Sequence, residues 1–182
     1  MKRLLVALVL CCFAVVPAAH AKGFYLGGSA GSASADFGQT GTTRINFDAV
    51  GYKLFAGYGA MRFLAFEVGY TDFGSPSESF GNASYDLDMK AAAVWAIGIL
   101  PATPQLSLYG RLGYSAWDAD LTSHVPPDDP TNQKSDGNDL AFGFGIAYNI
   151  TPRLGLQLEW ENYEIASTDE VTFGSIGVRW TF

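Results

Sequence analysis

Cysteine is almost missing from this chain: 182 residues contain two, Cys11 and Cys12, side by side near the N-terminus. Both lie in an apolar run from Leu4 to Val16 that follows Lys2 and Arg3 and is broken by Pro17. Ala19 and Ala21 then stand where a signal peptidase reads small residues, so residues 1–21 are expected to be a cleaved export signal. The run is too short to cross a bilayer as a retained helix. Neither cysteine follows the small residue that a lipoprotein cleavage site wants. Removal leaves residues 22–182, one domain of 161 residues without cysteine, which excludes disulfides and thiolate metal sites.

Long apolar runs are missing too. Beyond the signal no stretch reaches 18 apolar residues, which excludes helical membrane spans. Ala91 to Leu100 is the closest to a buried helix, but Asp86, Asp88 and Lys90 lead into it with a two-residue alternation, so it is expected to be a strand. Positive charge is scarce: without Lys2 and Arg3, 9 basic residues face 18 acidic ones, a net charge of −9. Nucleic acid, whose phosphates need a basic face, is excluded as a partner. Of two histidines, the signal removes His20 and leaves His124.

What the chain has in abundance is alternation. Eight segments, about 23–35, 49–59, 62–73, 84–99, 106–118, 139–150, 154–164 and 171–182, carry one apolar parity and one small or polar parity. In the last, Ile176, Val178, Trp180 and Phe182 alternate with Ser175, Gly177, Arg179 and Thr181. In the fourth, Leu87, Met89, Ala91, Ala93, Trp95 and Ile97 form the apolar parity, against Asp88, Lys90, Ala92, Val94, Ala96 and Gly98. The first segment is weakest, because Gly, Ser and Ala occupy both faces.

Connections alternate as well. Short turns are expected at Gly59–Met61, Pro101–Gln105 and Thr151–Arg153, and longer polar loops at about 36–48, 74–83, 119–138 and 165–170. Long loops at one end and short turns at the other predict an all-β fold: an eight-stranded antiparallel up-and-down transmembrane β-barrel, apolar parity toward lipid, short turns and both termini in the periplasm. Closure matters because an open edge in lipid leaves backbone groups unsatisfied. A soluble sandwich would alternate too, but it would not confine long loops to one end.

Charge follows the same division. Thirteen acidic residues fall in or beside the longer loops, with only Arg44 and Lys134 among them. The remaining strand charges all take the parity assigned to the lumen, where they must be paired or wetted. Folding the second and third segments about Ala60, and the third and fourth about Glu78, predicts a Lys53–Glu67–Lys90 cluster. Arg111, Glu159 and Arg179 extend it. An eight-stranded interior holds little more than its own side chains, which argues against a conducting or catalytic role for these groups.

Several stretches resemble small outer-membrane barrels of the OmpA-like and opacity surface-antigen type. They are Gly23-Phe-Tyr-Leu-Gly-Gly-Ser-Ala-Gly31, Gly51-Tyr-Lys-Leu-Phe-Ala-Gly-Tyr58 with Phe66-Glu-Val-Gly-Tyr70, Tyr109-Gly-Arg-Leu-Gly-Tyr114, and Gly177-Val-Arg-Trp-Thr-Phe182. The resemblance spans residues 22–182 and implies a monomeric barrel in the cell outer membrane, among lipid and lipopolysaccharide. It also implies that Ile176, Val178, Trp180 and Phe182 form the signal read by the barrel-assembly machinery. Full-length OmpA-type proteins carry a periplasmic peptidoglycan-binding domain. The sequence ends at the barrel, so wall anchoring is not expected.

The expected role is non-enzymatic and needs no cofactor: envelope structure, or contact with an extracellular protein through acidic loops. Some eight-stranded barrels are lipid A deacylases or acyltransferases, and a Ser/His hydrolase needs a His and a carboxylate. Here only Ser123 and His124 offer such a pair, within a Pro-rich loop and without the His-x-Ser-Asn pattern. A narrow ion channel is the remaining alternative. Gly143 and Gly145 resemble part of a nucleotide loop but fall mid-strand, where Gly admits close aromatic packing. Asp128, Asp129, Asp136 and Asp139 lack the spacing of a calcium loop, although divalent ions bridging them to lipopolysaccharide phosphates is a reading that their charge permits.

Overall fold

The computed structural model describes residues 23–36, 46–75, 77–80, 83–124, 131–165 and 169–182. Its strands are β1 (Phe24–Asp36), β2 (Asn46–Met61), β3 (Leu64–Asp72), β4 (Ser77–Phe80), β5 (Ala83–Pro101), β6 (Leu106–His124), β7 (Thr131–Asn149), β8 (Leu154–Ile165) and β9 (Asp169–Thr181). All pairings are antiparallel, and β1 closes the wall on β9. β3 and β4 lie one after the other along the same edge of β5. Nine segments therefore make eight staves of a closed barrel.

Two short turns repeat one device. In Thr103-Pro-Gln-Leu106 and Thr151-Pro-Arg-Leu154 the threonine Oγ1 accepts from the backbone N–H three residues on, at 2.9 Å in both. Pro fixes the next φ, so the sequence closes these turns with local chemistry alone.

The expected loops are shorter than the alternation suggested. Residues of β4 lie inside the expected 74–83 loop, and β6 and β7 run through much of 119–138. Above the lipid both faces of a strand meet water, so hydrophobic alternation stops while backbone pairing continues. Asp118, Asp120, Asp136 and Asp139 are consequently strand residues. Ala19, Ala21, Asp128 and Asp129 lie outside the described residues.

Odd-numbered positions face the lumen on β1–β3 and β5–β9. The cause is the register: outside the β2–β3 turn and the short β4–β5 pairing, opposed residues share parity, and opposed residues share a face. This reverses the expectation for the fourth segment. Met89, Ala91, Ala93, Trp95 and Ile97 are buried in the lumen, while Val94 on the other face is exposed. Hydrophobicity misled there because the barrel interior is itself partly apolar, so the bulkier parity does not have to meet lipid. On the other strands the apolar parity is outward, as expected, with Leu54, Phe66, Leu112, Phe144, Leu158 and Ile176 all exposed.

Lys90 and Asp88 thus point outward. So do Asp118, Asp120, Lys134 and Asp136, and all sit toward the loop end, past the apolar belt. Charge on the outer parity is tolerated there because those side chains lie beyond the hydrocarbon, where the midplane cost of about 2–4 kcal/mol falls away.

Candidate functional site

Five ionisable side chains from four staves meet in the middle of the lumen. Lys53 on β2 is fully buried and donates to Glu159 at 2.5 Å and to both oxygens of Glu161 at 3.0 and 3.1 Å. Arg111 on β6 donates to Glu159 at 2.6 Å and Glu161 at 2.7 Å, and its other terminal nitrogen donates to Glu67 on β3. Glu67 also accepts from the Tyr25 hydroxyl at 3.0 Å, and Glu159 from Gln157 Nε2 at 3.0 Å. Two cations and three carboxylates share one network. In a low-dielectric interior such a network holds only if nearly every donor and acceptor is matched.

The predicted Lys53–Glu67–Lys90 cluster is corrected on two counts. Lys53 lies opposite Thr71, and Glu67 opposite Gly57, so the β2–β3 register differs by four residues from a fold about Ala60. Lys90 lies on the outer face, with its ammonium 4.0 Å from Asp72, whose carboxylate also accepts from Tyr52 at 3.2 Å. The turn falls at Arg62–Phe63 and not at Ala60, and the place of a turn sets the register of the whole hairpin. Arg179 is placed apart from the carboxylates: it donates to Asn149 at 3.2 Å and lies 5.4 Å from the Tyr25 ring centroid. The alternation put Glu161 on the lumen parity yet outside the cluster, and it is central.

Aromatic groups close the loop side of this network. The Arg111 guanidinium lies 4.4 Å from the Trp95 ring centroid. Trp95 meets Tyr163 edge-on at 5.8 Å, and Phe73 meets Tyr163 and Phe173 edge-on at 5.0 and 5.9 Å. Glycines make the room: a Cβ on Gly113 would lie 2.5 Å from Trp95 Cε3. Toward the short turns the lumen opens into a cavity of about 230 Å³ lined by Tyr25, Glu67, Tyr109, Gln157, Glu159 and Arg179 among others. Trp95, Tyr25 and Tyr163 were not predicted as part of the site; the nearest signal in the sequence is a glycine on the neighbouring stave beside two of these rings, Gly113 at Trp95 and Gly57 at Tyr25.

Among the described residues no group of three or more His, Cys, Asp or Glu is arranged to hold a metal. His124 closes β6, and Gly143 and Gly145 are mid-strand lumen positions of β7.

A family model described as the OmpA-like transmembrane domain matches residues 19–173. The chain belongs to the OmpA-like family. It is an outer-membrane β-barrel and resides in the cell outer membrane. Outer membrane protein A of Salmonella typhi is 31% identical over 112 residues, 62% of this chain. That match covers 32% of the relative's length, so the chain spans about a third of it. Among solved structures, Neisserial surface protein A is similar with a TM-score of 0.68 and 19% identity, over 88% of this chain and 97% of the other. The attachment invasion locus protein Ail of Yersinia pestis has a TM-score of 0.58 and 20% identity, over 88% and 99%. These similarities bear on the OmpA-like fold.

Proposed function

We propose that this OmpA-like barrel is a monomeric, non-enzymatic envelope protein that acts through its acidic loop end. The filled lumen is the observation that carries the reading. The Lys53–Arg111–Glu67–Glu159–Glu161 network and the aromatic layer over it occupy the interior, which leaves the outward face at the loop end for recognition. Asp88, Asp118 and Asp136 are exposed there, and this charge favours a cationic or divalent-bridged partner. On this reading residues 1–21 are an export signal cut after Ala21, with Ala19 and Ala21 as its recognition pair. Both termini then face the periplasm. Ile176, Val178, Trp180 and Phe182 are all exposed on the outer face of β9 and at its end, a disposition suited to recognition by the assembly machinery.

The decisive experiment compares whole cells carrying the wild type with cells carrying Asp88→Asn, Asp118→Asn and Asp136→Asn together, scoring adhesion to extracellular protein arrays at equal barrel abundance. Loss of adhesion supports the surface role; unchanged adhesion refutes it. Lipid A from His124→Ala cells, compared by mass spectrometry, is expected to match wild type. A changed acylation pattern would favour the deacylase or acyltransferase reading. Single-channel recordings of the purified barrel are expected to show no steps that neutralising Lys53 or Glu67 alters.

A further inference from the structure

Two halves of the barrel repeat one arrangement on the turn side of the ionic network. Tyr25 lies opposite Gly57 in the β1–β2 register, and Gly57 lies opposite Glu67 in the β2–β3 register. Halfway round the wall, Tyr109 lies opposite Gly145, and Gly145 opposite Glu159. Each ring leans over its glycine: a Cβ at Gly57 would collide with the Tyr25 hydroxyl, and one at Gly145 with the Tyr109 hydroxyl. The two rows differ in what the hydroxyl does. Tyr25 donates to Glu67 at 3.0 Å. The Tyr109 hydroxyl is buried and has no hydrogen-bond partner among the described residues.

Both rows border the cavity of about 230 Å³ that opens toward the short turns. Three strand cations face the lumen, and two of them, Lys53 and Arg111, are paired with carboxylates. The third, Arg179, is half-buried and lines the cavity. Among the described residues its hydrogen bond goes to the neutral Asn149 side chain, at 3.2 Å. A guanidinium has five N–H donors, so most of them remain for another acceptor. Glu67 and Glu159 also border the cavity, but Arg111 and Lys53 already hold them. Ile97 and Ile99 add an apolar wall.

We propose that this cavity binds a small amphiphilic carboxylate, with its charge on Arg179, its apolar body against Ile97 and Ile99, and a second acceptor at the Tyr109 hydroxyl. Charge selects the anion, because a guanidinium fork matches a carboxylate and the bond between them is charge-assisted. Size selects a small molecule. A cavity of about 150 Å³ takes a benzene ring, so this one has room for a ring with a polar group at each end. The ionic network and the aromatic layer close the far side, which makes the cavity a blind pocket and not a passage.

The test is titration of the full chain, isotope-labelled and refolded in detergent micelles, with para-hydroxybenzoate. The side-chain amide resonance of Gln157, which lines the cavity, reports occupancy in every variant. Wild type is expected to show a saturable shift. The uncharged para-hydroxybenzamide is expected to bind at least about tenfold more weakly, and Arg179→Gln to weaken para-hydroxybenzoate by a similar factor. Tyr109→Phe removes one neutral donor and is expected to weaken binding about fivefold. It serves as the second variant should Arg179→Gln fail to fold by circular dichroism. Lys90→Gln takes a cation from the outer face and is expected to bind as wild type does. Absence of a saturable shift in wild type overturns the proposal, as does equal affinity for para-hydroxybenzamide. Unchanged affinity in either Arg179→Gln or Tyr109→Phe, or a loss in Lys90→Gln, overturns it too.

Discussion

Lys53 on β2 and Glu159 on β8 meet at 2.5 Å across the lumen, 106 residues apart in sequence and on staves that are not neighbours. Their contact ties opposite parts of the wall together. The same lysine also serves Glu161, so the cross-link is shared by two carboxylates of one stave.

Unequal costs follow from the three-to-two balance of charge. Lys53→Met leaves three buried carboxylates around Arg111 alone and is expected to destabilise the barrel by about 3–5 kcal/mol. Glu161→Gln leaves two carboxylates and two cations and is expected to cost clearly less. Urea unfolding midpoints in micelles measure both; a Glu161→Gln barrel weaker than Lys53→Met would contradict the network as described.

Two glycines on β6 differ only in the face they occupy. At Gly113 a Cβ would meet Trp95 Cε3 at 2.5 Å and the Val94 carbonyl oxygen at 2.6 Å, whereas at Gly110 the nearest atom is 4.0 Å away. Gly113→Val is therefore expected to prevent stable folding or cost more than about 3 kcal/mol. Gly110→Val is expected to stay within about 0.5 kcal/mol of wild type. The fraction refolded into micelles, read by circular dichroism, distinguishes them.

The inverted β5 faces can be tested with charge. Val94→Lys puts an ammonium in the apolar belt and is expected to cost about 2–4 kcal/mol in a bilayer. Lys90→Leu, on the same face but beyond the belt, is expected to leave vesicle refolding unchanged. Had the faces been the other way round, the introduced ammonium would enter the lumen and Lys90 would belong to the ionic network.

A fourth expectation concerns Phe182, exposed at the end of β9. Phe182→Ala is expected to lower the amount of barrel assembled in cells while leaving spontaneous refolding in micelles as fast as wild type. Equal amounts in cells would remove the assembly role proposed for the terminal residue.

Much of this architecture is legible before any coordinate. The stave count, the antiparallel order and the outward parity of six segments all follow from alternation and turn residues. Thr103-Pro104 and Thr151-Pro152 close their turns by contacts within four residues. What misled was hydrophobicity applied to β5: Trp95 looks like a lipid-facing residue until Arg111, from the next stave, lies on its ring. Likewise Glu161 becomes central only when β2 brings Lys53 across the lumen, a juxtaposition no local pattern encodes.

Sequence alone determined that the chain alternates, where it turns, and that its lipid belt excludes charge, because those features depend on neighbours two to four residues away. Tertiary structure decided which carboxylate met which cation, which face of β5 turned inward, and where the lumen was left hollow. The physical reason is register: a turn at Arg62–Phe63 in place of Ala60 moves every partner on the next stave, and closure passes that choice around the whole wall.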